Sequence, residues 1–308
     1  MAAPSLQSTV EENQTNIALV VGNGINRYRQ REGGTDWDAL LLVLAREYLG
    51  TQTEIPLGIS QTEFYDLIAL RADPGLRDKA SSVPAARALQ KCFCDLMAGW
   101  EPRTHHRQII RWARERRVPV LTTNFEKTLC AAGDCRKLAT TTEHFSDYYP
   151  WETYYGTEEL EHPEEGFGIW HINGVSDYFR SVRLGLSHYM GSVQRARTWI
   201  HGAGGRRLFA ATESLEHWRG RASWLHIAFT KPLAIFGLAL DINEVFLRWL
   251  LIERARYFRA FPRRSKKAWY FHVNDETPGK LFFLAGVGVT PVQVKTYDEL
   301  YGEPVWPQ

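Results

Sequence analysis

Five short segments place polar side chains where an α/β chain can do chemistry. Gly22-Asn23-Gly24-Ile25-Asn26 follows an apolar run and opens into a helical pattern. Glycines let backbone N–H groups approach a phosphate closely, and a helix N-terminus adds partial positive charge. The fuller Gly-x-Gly-x-x-Gly pattern is broken by Arg at position 27, so a structural turn accounts for the two glycines as well as a phosphate does. In Leu121-Thr122-Thr123-Asn124-Phe125-Glu126, Asn124 both donates and accepts. It therefore suits two roles, holding a ribose hydroxyl or water, or capping a helix. His171 and Asn173 in Ile169-Trp170-His171-Ile172-Asn173-Gly174 share one side at a strand's period of two. A histidine there is either a general base near neutral pH or a structural residue. Gly237-Leu238-Ala239-Leu240-Asp241-Ile242-Asn243-Glu244 is a second glycine turn before a helix, where Asp241 or Glu244 can cap the helix or meet a ribose. His272-Val273-Asn274 completes the set.

The elements that must position these groups follow from hydrophobic pattern. Continuous apolar runs at Ile17 to Val21, Val118 to Thr122, Gly168 to Ile172, Pro232 to Phe236, Ala268 to Val273 and Val289 to Val294 predict strands buried on both faces. Helical stretches alternate with them, so the expected fold class is α/β, with a doubly wound, mostly parallel, Rossmann-like sheet. Between the first two strands lie about 95 residues with helical periodicity at Trp37 to Leu49, Glu63 to Leu70, Val83 to Trp100 and Thr104 to Arg116. That is more than one crossover needs, and it predicts a helical insertion, about residues 36–116, over the strand ends. All five polar segments then fall at the carboxyl edge of one sheet, where open α/β sheets bind ligands.

Composition bounds the reading. The 308 residues are 44% hydrophobic and 23% charged, which excludes collagen-like, coiled-coil and disordered chains. Thirty-seven Lys and Arg against 35 Asp and Glu leave a formal charge of +2, which makes direct nucleic-acid binding an unfavoured reading. Cys92, Cys94, Cys130 and Cys135 suggest a reducing compartment, and their spacing is not that of a zinc site. Residues 1–16 lack a basic and apolar leader and are expected to be a flexible tail before a single domain over residues 17–308. The longest apolar run, Pro232 to Leu240, has nine residues, about half a membrane span. A cytoplasmic protein without a membrane partner is expected. Arg103, Arg107, Arg111 and Arg114 recur at helical spacing as a solvated face or a docking surface, and six glutamates from Glu152 to Glu165 suggest an exposed acidic loop.

Taken in order and spacing, Gly22 to Asn26, Thr122 to Glu126, Trp170 to Gly174 and Gly237 to Asp241 resemble the sirtuin-like domains of bacterial antiphage systems. Ser181-Val182-Arg183-Leu184-Gly185-Leu186-Ser187-His188-Tyr189 extends the likeness over nearly the whole chain. The resemblance implies an NAD hydrolase that releases nicotinamide and ADP-ribose, with NAD as substrate and no retained cofactor. It places Gly22, Asn23 and Gly24 near phosphate, Asn124 at the nicotinamide ribose, and Gly237 and Asn274 toward the adenosine half. Asn26, Thr122, Glu126, Asn173, Leu238 and Asp241 complete the expected NAD-binding set. Two departures matter. The zinc module of classical sirtuins, with its two C-x-x-C pairs, is missing, and Asn173 stands where relatives carry histidine, leaving His171 as the expected base. Cyclisation instead of hydrolysis stays open, as do two other classes, a lysine deacylase and an NAD-binding regulatory module. A chain used up by one catalytic fold implies control from outside, by a sensor protein of a defence system, a ligand or self-assembly, with the arginine helix as the expected docking face.

Overall fold

The structure, a computed structural model, describes residues 5–30, 36–50, 54–72, 85–141, 149–202, 204–210, 215 and 217–307. Eight strands form one sheet: β1 (Ala18–Val21), β2 (Val120–Thr122), β3 (Arg136–Ala139), β4 (Thr153–Gly156), β5 (Ile169–His171), β6 (Leu233–Phe236), β7 (Ala268–His272) and β8 (Thr290–Gln293). Their order is β3-β4-β5-β2-β1-β6-β7-β8. From β5 to β8 every pairing is parallel, while β3 and β4 add an antiparallel edge. The six parallel strands match the six apolar runs. The fold is Rossmann-like, and strand order reverses between β1 and β6, the switch point where such sheets open a crevice.

Burial on both faces follows from alternation along each strand. Ala18 and Val20, with Leu121, Trp170 and Ile235, pack beneath α8 (Leu186–His201), α9 (Trp224–Thr230) and α10 (Val245–Ala260). Leu19 and Val21, with Val120, Ile169 and Phe236, pack beneath α1 (Leu6–Asn13), α6 (Thr104–Glu115), α7 (Thr128–Ala132) and α12 (Asp298–Tyr301). A third core joins α3 (Trp37–Leu49), α4 (Gln61–Ala72) and α5 (Ala85–Asp95), and it closes on Phe125, Val182 and Leu184 from the strand tips. The remaining helices are α2 (Gly24–Arg27) and α11 (Pro278–Gly286).

Several expectations are corrected here. Residues 6–13 are a helix, not a tail: the Ser5 side chain caps it by accepting from the Ser8 backbone at 3.0 Å, and Leu6 and Val10 are fully buried against the sheet. Residues 1–4 lie outside the described set, as do Val83 and Pro84 of the expected third helix. The inserted subdomain is α3 to α5 only; α6 is the crossover helix, because Ile109, Ile110, Trp112 and Ala113 bury on the sheet itself. The acidic segment is not a loop throughout. Its Thr153–Gly156 portion is strand β4, buried along its length, and Glu164 turns inward to meet Arg221 and His226. Among the arginines, Arg107 and Arg114 are exposed and Arg111 is half-buried, while Arg103 departs from that face and donates to the Tyr28 carbonyl at 3.0 Å.

Candidate functional site

A cleft of about 560 Å³ lies at the tips of β1, β6 and β7. Asn23, Gly24, Gly237, Leu238, Asp241 and Asn274 line it, together with Arg27, Tyr270 and Tyr301. The inserted helices close its far side with Asp36, Trp37 and Gln61. Trp37, Gln61, Asn243 and Glu244 also line a narrower chamber of about 60 Å³ beside it, whose other walls include Phe93, Thr123, Phe125, Asn173 and Arg183. Glu244 thus stands where cleft and chamber meet.

The glycine turn has a packing cause. A Cβ on Gly22 would fall 2.3 Å from Leu238 Cβ, and one on Gly24 would fall 2.8 Å from the Gly237 carbonyl oxygen. Gly237 itself holds φ at +75°, a conformation that favours glycine. The Gly22 and Gly24 N–H groups donate to the Phe236 and Gly237 carbonyls at 3.1 and 2.6 Å, so they are spent on joining β1 to β6. The turn shapes the cleft floor, where Arg27 and Lys280 supply cationic groups.

Behind the floor, the expected contacts Asn26, Thr122 and Glu126 form a buried brace. Asn26 Nδ2 donates to Asn23 Oδ1 and to Glu126 Oε1, both at 2.8 Å, and Asn26 Oδ1 meets His106 Nε2 at 3.0 Å. The second Glu126 oxygen accepts from the Thr128 backbone. Thr122 Oγ1 donates to the Val21 carbonyl at 2.9 Å and accepts from the Asn124 N–H at 3.1 Å. With their hydrogen bonds made inside the protein, these side chains hold the site rather than line it.

Asn124 is 1% exposed, and neither its amide oxygen nor its nitrogen has a partner among the described residues. Leaving such a group unpaired costs roughly 1–3 kcal/mol per atom. The capping role does not apply, since α7 starts at Thr128 after Lys127 with no side-chain cap. Asn124 lies between Thr123 and Phe125, both of which line the chamber.

His171 is placed otherwise than its expected role requires. The strand ends at His171, so the period of two does not carry through to Asn173. His171 Nδ1 donates to the Asn124 carbonyl at 2.8 Å, its Nε2 lies 3.4 Å from Cys130 Sγ, and Tyr155 packs edge-on at 5.5 Å. Burial lowers its pKa and pushes the Cys130 thiol well up, so a neutral ring faces a neutral thiol. With both nitrogens committed to protein atoms, His171 is a brace for Asn124.

The group suited to proton transfer is Glu244. Burial first, and then the Asp241 carboxylate, raise its carboxyl to about 7, against a hydrogen bond from Asn173 that lowers it. Glu244 occupies the cap position of α10 but makes no side-chain capping bond, which leaves it to the cavity. Sequence pattern marked this residue as a cap or ribose contact; its perturbed acidity arises only from what packs around it. Nothing in the local pattern marked Arg183, Trp37 or Gln61 as site residues, because they reach the site from separate elements.

Fold and site together define a Rossmann-like α/β protein with a cleft at its topological switch point. The chain matches no family model and no curated protein sequence. Among the described residues, no group of three or more His, Cys, Asp or Glu side chains could hold a metal ion, and no helix is long and apolar enough to cross a membrane.

Proposed function

We propose that this protein cleaves the nicotinamide glycosidic bond of NAD. The observation that carries the reading is Glu244, a carboxyl with its pKa near neutrality at the junction of a nucleotide-sized cleft and an aromatic-walled chamber. Nicotinamide leaves as a neutral molecule when the bond from ribose C1′ to the pyridinium nitrogen breaks and the electron pair goes to that nitrogen. Departure therefore needs no acid. The barrier lies in the cation that develops at C1′, and a nearby carboxylate stabilises it. Water then forms the new bond to C1′ and passes a proton to Glu244. Asn124 has an unspent donor and acceptor for the ribose or the water, with His171 bracing its backbone, while Asn173 steadies the carboxylate. Asp241 suits ribose hydroxyls, and Arg27 suits the diphosphate.

The sirtuin-like resemblance extends the proposal to an NAD-depleting effector of bacterial defence, held in check until a partner protein or assembly acts on it, with Arg107, Arg111 and Arg114 as the docking face. Incubating the purified chain with NAD, alone and with proteins encoded beside it, and separating the products tests the reading. Nicotinamide and ADP-ribose are the expected products. Absence of nicotinamide under every condition, with NAD bound, would replace the reading by the regulatory module.

A further inference from the structure

The cleft has two ends. Glu244, where the proposed reaction breaks the bond to C1′, stands at the chamber end with Thr123 after β2 and Asn173 after β5. In the sheet β1 and β6 separate β2 from β7, so the cleft runs from Glu244 across the Gly24 and Gly237 turns to the carboxyl end of β7. There His272, Asn274, Asp275 and Glu276 line it. A dinucleotide with its nicotinamide ribose at Glu244 therefore lays its adenosine ribose over the tip of β7.

The charge at that tip is acidic. Arg27 belongs to the β1 end of the cleft, and the Lys280 ammonium is already engaged, pairing with Glu276 Oε2 at 2.5 Å and donating to the Ala239 carbonyl at 2.6 Å. The other Glu276 oxygen accepts from the Tyr270 hydroxyl at 2.9 Å. Asp275 is exposed at the rim, where its Oδ1 accepts from Gln293 Nε2 of β8 at 3.0 Å. An amide anchors a carboxylate without neutralising it, and a carboxylate can accept several hydrogen bonds at once. His272 holds its Nδ1 on the Asn274 carbonyl at 2.8 Å. The start of α11 does not reverse the sign, because its first residue, Pro278, has no N–H to offer and the Thr277 side chain accepts the Lys280 N–H at 3.4 Å.

We propose, resting on the NAD reading of this cleft, that Asp275 makes it selective for NAD over NADP. The carboxylate accepts from the free 2′-hydroxyl of the adenosine ribose and repels the phosphate that NADP carries at that position. An acidic side chain at a strand tip discriminates in this way because it can accept from a hydroxyl but not from an anionic phosphate oxygen.

Calorimetric titration of the intact chain with NAD and, separately, with NADP reads the selectivity as binding, independently of turnover. NAD should bind about tenfold more tightly, the scale of one like-charge contact at a solvent-screened rim. Asp275→Asn should bring the two affinities within about threefold by removing the charge, and Asp275→Lys should reverse the preference. Because the position is exposed, both variants should keep the melting temperature of the unaltered chain. Binding of NADP as tight as that of NAD would overturn the selectivity and leave the cleavage reading standing. So would a ratio of affinities that both variants leave unchanged. Binding of neither dinucleotide would overturn the NAD reading and the selectivity together, which tells the two failures apart.

Discussion

At the scale of single residues, the proposed cleavage divides the work between Glu244 as base and His171 as a brace. A base must be deprotonated to act, so turnover should fall about tenfold per pH unit below a midpoint near 7. Glu244→Gln should lower the rate by a factor of about 10² to 10⁴ and flatten that limb. It should also raise the melting temperature at pH 8, because a carboxyl whose pKa is raised on folding loses stability as pH climbs from its ordinary value through 7. A pH profile unchanged in Glu244→Gln would return the base to another group. His171→Asn should reduce turnover less and keep the limb, since it loosens the carbonyl of Asn124 without touching the proton. Asn124→Ala should collapse turnover while leaving the melting temperature at or above that of the unaltered chain, its amide having no partner to lose. A clear loss of stability would show that the amide is paired in solution and structural.

At the scale of elements, the position of the site depends on a helix that periodicity placed in the wrong layer and on one it did not mark at all. The arginine spacing of α6 was read as a face, yet its opposite side, with Ile109, Ile110 and Trp112, makes it a wall of the sheet and sets His106 against Asn26. The eight residues of α1 are short for an independent helix. Its Ser5 cap and the burial of Leu6 and Val10 on the β1 side of the sheet are what hold it. Leu6→Ala should therefore cost about 2–5 kcal/mol in urea denaturation. A flexible tail would lose nothing.

For the molecule as a whole, buried histidines make stability fall in acid. His106 Nδ1 accepts from the Arg103 N–H at 3.0 Å, and His188 Nδ1 accepts from the Leu184 and Gly185 N–H groups at 3.3 Å, so protonating either ring breaks a hydrogen bond. Burial, followed by neighbouring cationic groups, lowers their pKa values to about 2 and about 4. Both lie below the ordinary 6.5, so the unfolded chain binds protons the folded chain refuses. The histidines' contribution to stability is complete above 6.5 and falls as pH drops below it. One unit below, each histidine costs about 1.4 kcal/mol, or about 3 together. Denaturation of the unaltered chain and of His188→Gln at pH 7.5 and 5.5 measures this: between the two pH values the variant should lose about 1.4 kcal/mol less than the unaltered chain. A difference that persists in full would assign it to other groups.

Sequence alone was enough for what depends on local pattern and side-chain chemistry. Six apolar runs became the six parallel strands, because a strand buried on both faces needs an unbroken apolar stretch, and Trp37 to Leu49 became α3 with the expected bounds. The polar tips fell at one sheet edge because parallel strands point the same way. β3 and β4 escaped, since edge strands such as Arg136–Ala139 are exposed and polar and carry no buried-strand signature. Which polar residues face the cleft was decided only by tertiary structure. Asn26, Thr122, Glu126 and His171 were chemically suited to a ligand, but neighbours distant in sequence took up their hydrogen bonds: His106 for Asn26, Val21 for Thr122, Asn26 for Glu126, and Asn124 and Cys130 for His171. Glu244 has its pKa raised to about 7 by the opposite cause, burial beside Asp241 with only Asn173 to offset it. The charge of a group can be read from its residue type; its solvation, and so its pKa and availability, comes from everything the fold packs around it.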